Sequence, residues 1–90
     1  MISVTRIPSL SRHYRMQWEQ AQECHVLLYP EGMIKLNDSA AEILLQCDGD
    51  KNVGTIVAAL EHKFPDAHGI DLDVIEFVGG AHEQGWIQIV

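Results

Sequence analysis

Two cysteines and five histidines are the residues of this chain best suited to ligate a metal ion or attack a substrate. Structural zinc sites need four such ligands at short, regular spacings, as in a Cys-x-x-Cys pair. Cys24 and Cys47 are far apart and belong to no such pair. Cys24 and His25 are adjacent in a β-rich segment, so their side chains point to opposite faces of a strand. The spacing predicts no metal site, no disulfide framework and no cofactor.

Nucleophilic and acid–base catalysis have no better support from the sequence. Cys47 shares an apolar helical stripe with Ile43 and Leu44, and we expect burial to raise the pKa of this thiol and make it inert. Carboxylate pairs such as Asp48 and Asp50 flank turns and helix starts, where solvated acids usually lie. The sequence therefore predicts a binding protein without catalytic residues, not an enzyme.

The distribution of charge limits the classes of partner. The chain has a net charge of -7, and residues 1–18 contain three arginines and no carboxylate, which leaves -10 on residues 19–90. An anionic body repels nucleic acid and anionic lipid. The N-terminal residues lack the apolar stretch of a signal peptide, and no uncharged apolar run is long enough to span a bilayer. We expect a cytoplasmic protein that binds neither nucleic acid nor membranes.

The first half of the chain has the pattern of a small antiparallel sheet. Residues 1–13 show no periodicity and are predicted to be an irregular N-terminal arm, followed by a single domain over residues 14–90. Apolar and polar residues alternate over residues 14–19, as in a half-buried strand. Strand-like runs at residues 24–29 and 33–36 flank Pro30-Glu31-Gly32, which is typical of a hairpin turn. These segments predict a three-stranded meander.

After Leu36 the apolar period changes from two to 3.6, which predicts three helices. Gly79 and Gly80 inside the third helix indicate either a frayed or kinked last turn or the close approach of another backbone. Residues 86–90 are predicted to be an extended tail. The fold class is therefore α+β, a small winged-helix-like domain with a three-stranded antiparallel sheet followed by three helices. The expected caps and ends of the helices are Asn37 or Ser39 to Cys47, Asn52 to Pro65, and Asp71 to Gly85.

Two features favour recognition of a peptide. The third strand is an outer strand with a free row of N–H and C=O groups. The backbone groups of Met33 and Lys35 point in one direction, and those of Ile34 and Leu36 point in the other. The sequence does not say which pair faces outward. The third helix is apolar over more of its circumference than one core contact needs. One arc contains Leu72, Ile75 and Val78, and a second contains Val74, Phe77 and Ala81.

The same order of elements occurs in winged helix-turn-helix DNA-binding regulators, which is the alternative function. A recognition helix needs Lys or Arg facing the major groove. The predicted third helix has neither, and it carries four acids, Asp71, Asp73, Glu76 and Glu83. Peptide binding is therefore the favoured interpretation.

Several segments, in a fixed order and spacing, also resemble a known family. They are residues 26–37 (VLLYPEGMIKLN), 40–44 (AAEIL), 47–49 (CDG), 56–60 (IVAAL) and Phe64-Pro65, with Gly85-Trp86 as a weaker match. In these segments the chain resembles the PqqD proteins of pyrroloquinoline quinone biosynthesis. The resemblance implies a peptide chaperone that binds the ribosomally made precursor peptide PqqA. It also implies that the chaperone presents PqqA to the radical SAM enzyme PqqE.

The resemblance further implies how the peptide binds. In related recognition domains the peptide adds as a strand to the third β-strand and lies against the third helix. By position, the strand residues here are Met33, Ile34, Lys35 and Leu36. The apolar arc of the third helix adds Val74, Phe77, Val78 and Ala81 as the expected helix wall. We expect a monomer or a weak homodimer that swaps its N-terminal arm.

Overall fold

The computed structural model describes residues 2–90 of the chain. It contains two antiparallel sheets and three helices, and it confirms the predicted α+β class with a three-stranded sheet followed by three helices. The elements are β1 (Pro8–Leu10), β2 (Arg15–Glu19), β3 (Cys24–Tyr29), β4 (Gly32–Lys35), α1 (Asp38–Gln46), α2 (Val53–Lys63), α3 (Ile70–Gln84) and β5 (Ile87–Ile89).

The larger sheet has the strand order β2-β3-β4, so β2 and β4 are its two edges. Met16, Leu27 and Ile34 lie opposite one another in register across the three strands. This face packs against the helices, because Leu27 belongs to the hydrophobic core and the other two side chains pack against it. The remaining core residues are Leu36, Ala41, Ile43, Leu44, Cys47, Val53, Ile56, Leu60, Val74, Val78, Ala81 and Ile87.

The opposite face of this sheet, which we call the open face, has no helix over it. It consists of the side chains of Arg15, Gln17, Glu19, Cys24, Val26, Leu28, Met33 and Lys35, which alternate with those of the core face. Val26 is nevertheless fully buried, and its partners across the strands are Gln17 and Lys35.

Asparagine side chains begin the first two helices. The Asn37 side chain accepts a hydrogen bond from the Ala40 N–H at 2.8 Å, and Asn52 does the same for Thr55 at 2.8 Å. These caps satisfy backbone donors that have no partner within the helix. Of the two predicted starts of α1, the structure therefore has Asn37 and not Ser39.

The third helix begins differently from the prediction. Its N-cap is Gly69, in the left-handed region at a φ of 72°, and no side chain caps the helix. Asp71 lies one residue inside the first turn, where its charge still interacts favourably with the helix dipole. The predicted Asp71 cap is wrong. Gly85 ends the helix as expected, at a φ of 81°. Gly79 and Gly80 lie within the continuous helix, and no foreign backbone approaches either of them.

The N-terminal arm contains a strand, so the prediction of an irregular segment is wrong for Pro8–Leu10. These residues form β1, which pairs with β5 near the C-terminus, so residues 87–89 are not a simple tail. The Ser11 N–H donates to the Trp86 carbonyl at 2.8 Å. Ahead of β1, the carbonyls of Arg6 and Val4 accept hydrogen bonds from Val53 and Gly54 at the start of α2. The arm thus forms hydrogen bonds both with the start of α2 and with the segment that follows α3.

Candidate peptide-binding site

Within residues 2–90, β4 pairs only with β3, so its outer edge has no partner strand there. The Leu36 N–H donates to the His25 carbonyl at 3.0 Å, and the register places these two residues opposite each other. In an antiparallel ladder, hydrogen-bonded and non-hydrogen-bonded pairs alternate. The backbone groups of Ile34 therefore point to β3, whereas those of Met33 and Lys35 point outward. The structure thus determines which backbone groups of β4 face outward, whereas the sequence leaves this open.

The four predicted strand residues lie in different environments. The Met33 side chain is 46% exposed and Lys35 is also exposed, both on the open face. Ile34 is half-buried on the core face. Leu36 follows the strand and is only 6% exposed, within the hydrophobic core. The Leu36 side chain therefore faces the core and not the open edge.

The predicted helix wall is largely part of the core. Val74 and Val78 have no exposed surface, and Ala81 is similarly buried. These residues follow an i, i+4, i+7 spacing on the face of α3 that packs against α1, α2 and β5. Their side chains are therefore not exposed, and their part in peptide binding stays a prediction. Phe77 is half-buried, and its ring lies 6.3 Å from that of Trp86.

The sequence does not predict an apolar groove of about 660 Å³ at the end of the sheet where β2 ends and β3 begins. Trp18 and His25 form one wall, with their rings 5.1 Å apart in an edge-to-face arrangement. The opposite walls come from α1, from the end of α2 and from the start of α3. Of the eight predicted peptide-binding residues, only Val74 lines this groove.

Exposed apolar residues mark this groove in the structure, and no pattern in the sequence separates them from core residues. Trp18, Leu45 and Phe64 are large, exposed and apolar, and all three line it. Trp18 continues the alternating pattern of β2, so the pattern predicts a buried residue there. An ion pair between Lys63 and Glu42, at 2.7 Å, closes one side of the groove.

Two of the groups that could do chemistry, Cys47 and Asp48, have shifted pKa values. Burial raises the pKa of the Cys47 thiol to about 12, so the thiol stays protonated. Its Sγ donates to the Ile43 carbonyl at 3.4 Å. A hydrogen bond from Lys51 holds the pKa of Asp48 well below its usual value, helped by two backbone N–H donors. Across residues 2–90, no three His, Cys, Asp or Glu side chains are grouped so as to hold a metal ion.

In the same part of the chain, no helix is long and apolar enough to cross a membrane.

Comparison with known proteins agrees with the resemblance seen in the sequence. Residues 24–87 match the family described as "Coenzyme PQQ synthesis protein D (PqqD)". A "PqqA binding protein" of Azotobacter vinelandii is 60% identical over 83 residues, which cover 92% of this chain and 90% of that protein. A protein of the same name from Kluyvera intermedia is 57% identical over 82 residues, covering 91% and 89% of the two chains.

A solved structure has the same fold. It is the solution NMR structure of the PqqD truncation of Methylobacterium extorquens PqqCD, described as a functional and stand-alone recognition element for ribosomally synthesized and post-translationally modified peptides. The TM-score is 0.81 over 98% of this chain and 95% of that one, at 26% sequence identity. From the match over most of its length and from these relatives, the chain belongs to the PqqD family.

Proposed function

We propose that this protein binds the PqqA precursor peptide by adding it as a strand to the open edge of β4. One observation carries the proposal: the register leaves the N–H and C=O groups of Met33 and Lys35 directed outward, without a partner strand. An edge of this kind is a ready template for an extended peptide. The relatives named PqqA binding protein support PqqA as the peptide.

In this mode the backbone supplies affinity and the side chains supply specificity. Met33 and Lys35 flank the added strand from the open face, and Ile34 flanks it from the core face. Phe77 is the one residue of the predicted helix wall with accessible surface to contribute. Val74, Val78, Ala81 and Leu36 support the site from the core.

The protein acts in this proposal as a carrier and not as an enzyme. It holds PqqA in an extended conformation and presents it to PqqE, the radical SAM enzyme, which performs the chemistry. Since β1 pairs with β5 of the same chain, we expect the carrier to work as a monomer. The NMR structure of a stand-alone recognition element supports this division of labour between binding and catalysis.

Titration of the isotopically labelled protein with the PqqA peptide of the same organism tests strand addition. We expect the amides of Met33 and Lys35 to shift strongly and to become protected from solvent exchange, because they gain hydrogen bonds. The amides of Ile34 and Leu36, already bonded to β3, should gain little protection. Protection confined to the groove at Trp18 and Phe64, with none in β4, would contradict strand addition.

A second assay tests presentation to PqqE. PqqA crosslinking by PqqE should be much faster when this protein is present than when it is omitted. Equal rates with and without the protein would refute the carrier role while leaving peptide binding intact.

The DNA-binding alternative has no support from α3. Its charged residues are acidic, and within α3 there is no Lys or Arg to meet phosphate or base edges. We expect micromolar protein to leave the mobility of duplex DNA unchanged at low salt. A retained complex would revive this alternative.

A further inference from the structure

A smaller cleft lies at the end of the sheet where β2 begins and β3 ends. Its volume is about 280 Å³. The rings of Tyr14 and Tyr29 pack against each other at 5.6 Å and form one wall. The other lining residues are Arg12, His13, Arg15, Leu28 and Pro30. The cleft is therefore an aromatic and basic site on a chain that is strongly acidic overall.

The two arginines of this cleft have no partner among residues 2–90 that is an acid or a hydrogen-bond acceptor. Lys51 and Lys63 form ion pairs with Asp48 and Glu42, and the Arg6 guanidinium donates to the Val90 carbonyl. Within residues 2–90, the side chains of Arg12 and Arg15 make neither an ion pair nor a hydrogen bond. Both are exposed, and neither Glu19, the acid nearest to them in sequence, nor Glu31, which follows Pro30, lines the cleft.

The cleft lies at the hairpin end of the sheet, between β2 and β3. Arg15, Leu28 and Met33 lie in one row across the three strands of the open face. A strand added outside β4 would lie three strand spacings from Arg15, about 14 Å. Tyr29, in the cleft wall, lies opposite Gly32 at the first residue of β4. A peptide that runs past Gly32 and turns across the hairpin end of the sheet would therefore bring its next residues to the cleft.

We propose that this cleft is a carboxylate-binding subsite for acidic side chains of the precursor peptide. Guanidinium groups suit this ligand because their N–H donors form a planar fork that matches the two oxygens of a carboxylate. The cleft concentrates positive charge on an otherwise anionic protein, so it would favour an acidic segment of a bound peptide. This inference rests on the proposed binding of PqqA and adds the chemical class that the peptide presents.

The test compares a double variant, Arg12→Gln with Arg15→Gln, with the control Arg6→Gln. Arg6 lies in the same basic segment but outside the cleft. Calorimetry with PqqA at low salt should show about tenfold weaker binding for the double variant, and its affinity should depend less on salt than that of the parent. The control should bind like the parent. Arg12→Lys with Arg15→Lys should recover part of the loss, because charge returns without the fork.

A peptide series identifies the ligand itself. Each Asp or Glu of PqqA is replaced in turn by Asn or Gln, and binding is measured with the parent and with the double variant. At least one replacement should weaken binding to the parent but have little further effect on the double variant, which shows that the two groups interact.

The outcomes separate the two proposals. Parent-like affinity of the double variant, or an equal loss in Arg6→Gln, overturns the carboxylate subsite and leaves strand addition standing. A parent protein that does not bind PqqA overturns the proposed function and, with it, the subsite. Circular dichroism melting of each variant confirms that it is folded at the temperature of the titration.

Discussion

The outer strand β4 and the middle of α3 are both rich in apolar residues, but one lies at an open sheet edge and the other packs into the core. The difference follows from the backbone. A helix satisfies its own N–H and C=O groups, so it can offer a ligand only its side chains. Those of Val74 and Val78 are buried. An edge strand keeps half of its backbone groups free whatever its side chains do, so β4 retains a binding capacity that α3 lacks.

The largest expected effect comes from placing a charge on each side of α3. Val78→Asp should cost at least about 3 kcal/mol of folding free energy, since it buries a carboxylate without a partner. Leu72→Asp, on the same helix at 63% exposure, should change stability by no more than about 0.5 kcal/mol. Urea unfolding followed by circular dichroism measures both. If Val78→Asp unfolds at the urea concentration of the parent, α3 does not pack as described.

Truncation of Leu36 and Met33 compares core and edge within one segment. Leu36→Ala should destabilise the protein by about 2–5 kcal/mol, because it opens a cavity in the core. Met33→Ala should change stability by about 0.5 kcal/mol or less and should weaken PqqA binding. Thermal unfolding and peptide titration together check the pair. Equal destabilisation by the two variants would contradict the assignment of their environments.

Backbone ester substitution by chemical synthesis tests the direction of each N–H in β4. Replacing the Ile34 N–H by an ester oxygen should destabilise the fold by about 1 kcal/mol or more, because a bond to β3 is lost. The same change at Lys35 should leave the melting temperature nearly unchanged and weaken PqqA binding about fivefold. The reverse pattern would show that the N–H of Lys35 points to β3 and that of Ile34 points outward. If both variants bind as tightly as the parent, the peptide binds away from this edge.

The smallest expected effect is a difference in reactivity between the two thiols, which lie on opposite sides of the larger sheet. Cys24 is half-buried on the open face and Cys47 is buried in the core. We expect iodoacetamide at pH 8 to modify Cys24 and to spare Cys47 in the folded protein, as mass spectrometry will show. Rapid modification of both thiols would contradict the burial of Cys47.

The raised pKa of Cys47 also links stability to pH. Because its pKa is about 12 in the folded protein against 9.0 ordinarily, its contribution is complete below pH 9 and declines as the pH rises toward 12. Between pH 9 and pH 12, the parent should therefore lose stability relative to Cys47→Ala. A difference that does not change with pH would contradict a buried, neutral thiol.

Local signals explain which elements could be predicted. The bounds of β3 match the predicted run, Asn52 caps α2, and Gly85 ends α3, since turns and caps depend on a few neighbouring residues. The pairing of β1 with β5 could not be predicted in this way. Each of those strands has three residues, too few for a periodic pattern, and the strands lie at opposite ends of the chain. The Asp71 cap fails because a glycine two residues earlier begins the helix with a left-handed turn.

The sequence by itself determined the α+β order of elements, the anionic character of the body and the resemblance to the PqqD family, because caps, periodicity, charge and motifs are properties of short segments. Only the tertiary structure decided which apolar residues are core and which face solvent. It also decided that Met33 and Lys35 direct their backbone groups outward. That direction depends on the hydrogen bond between Leu36 and His25, a contact between two strands whose register no single segment encodes.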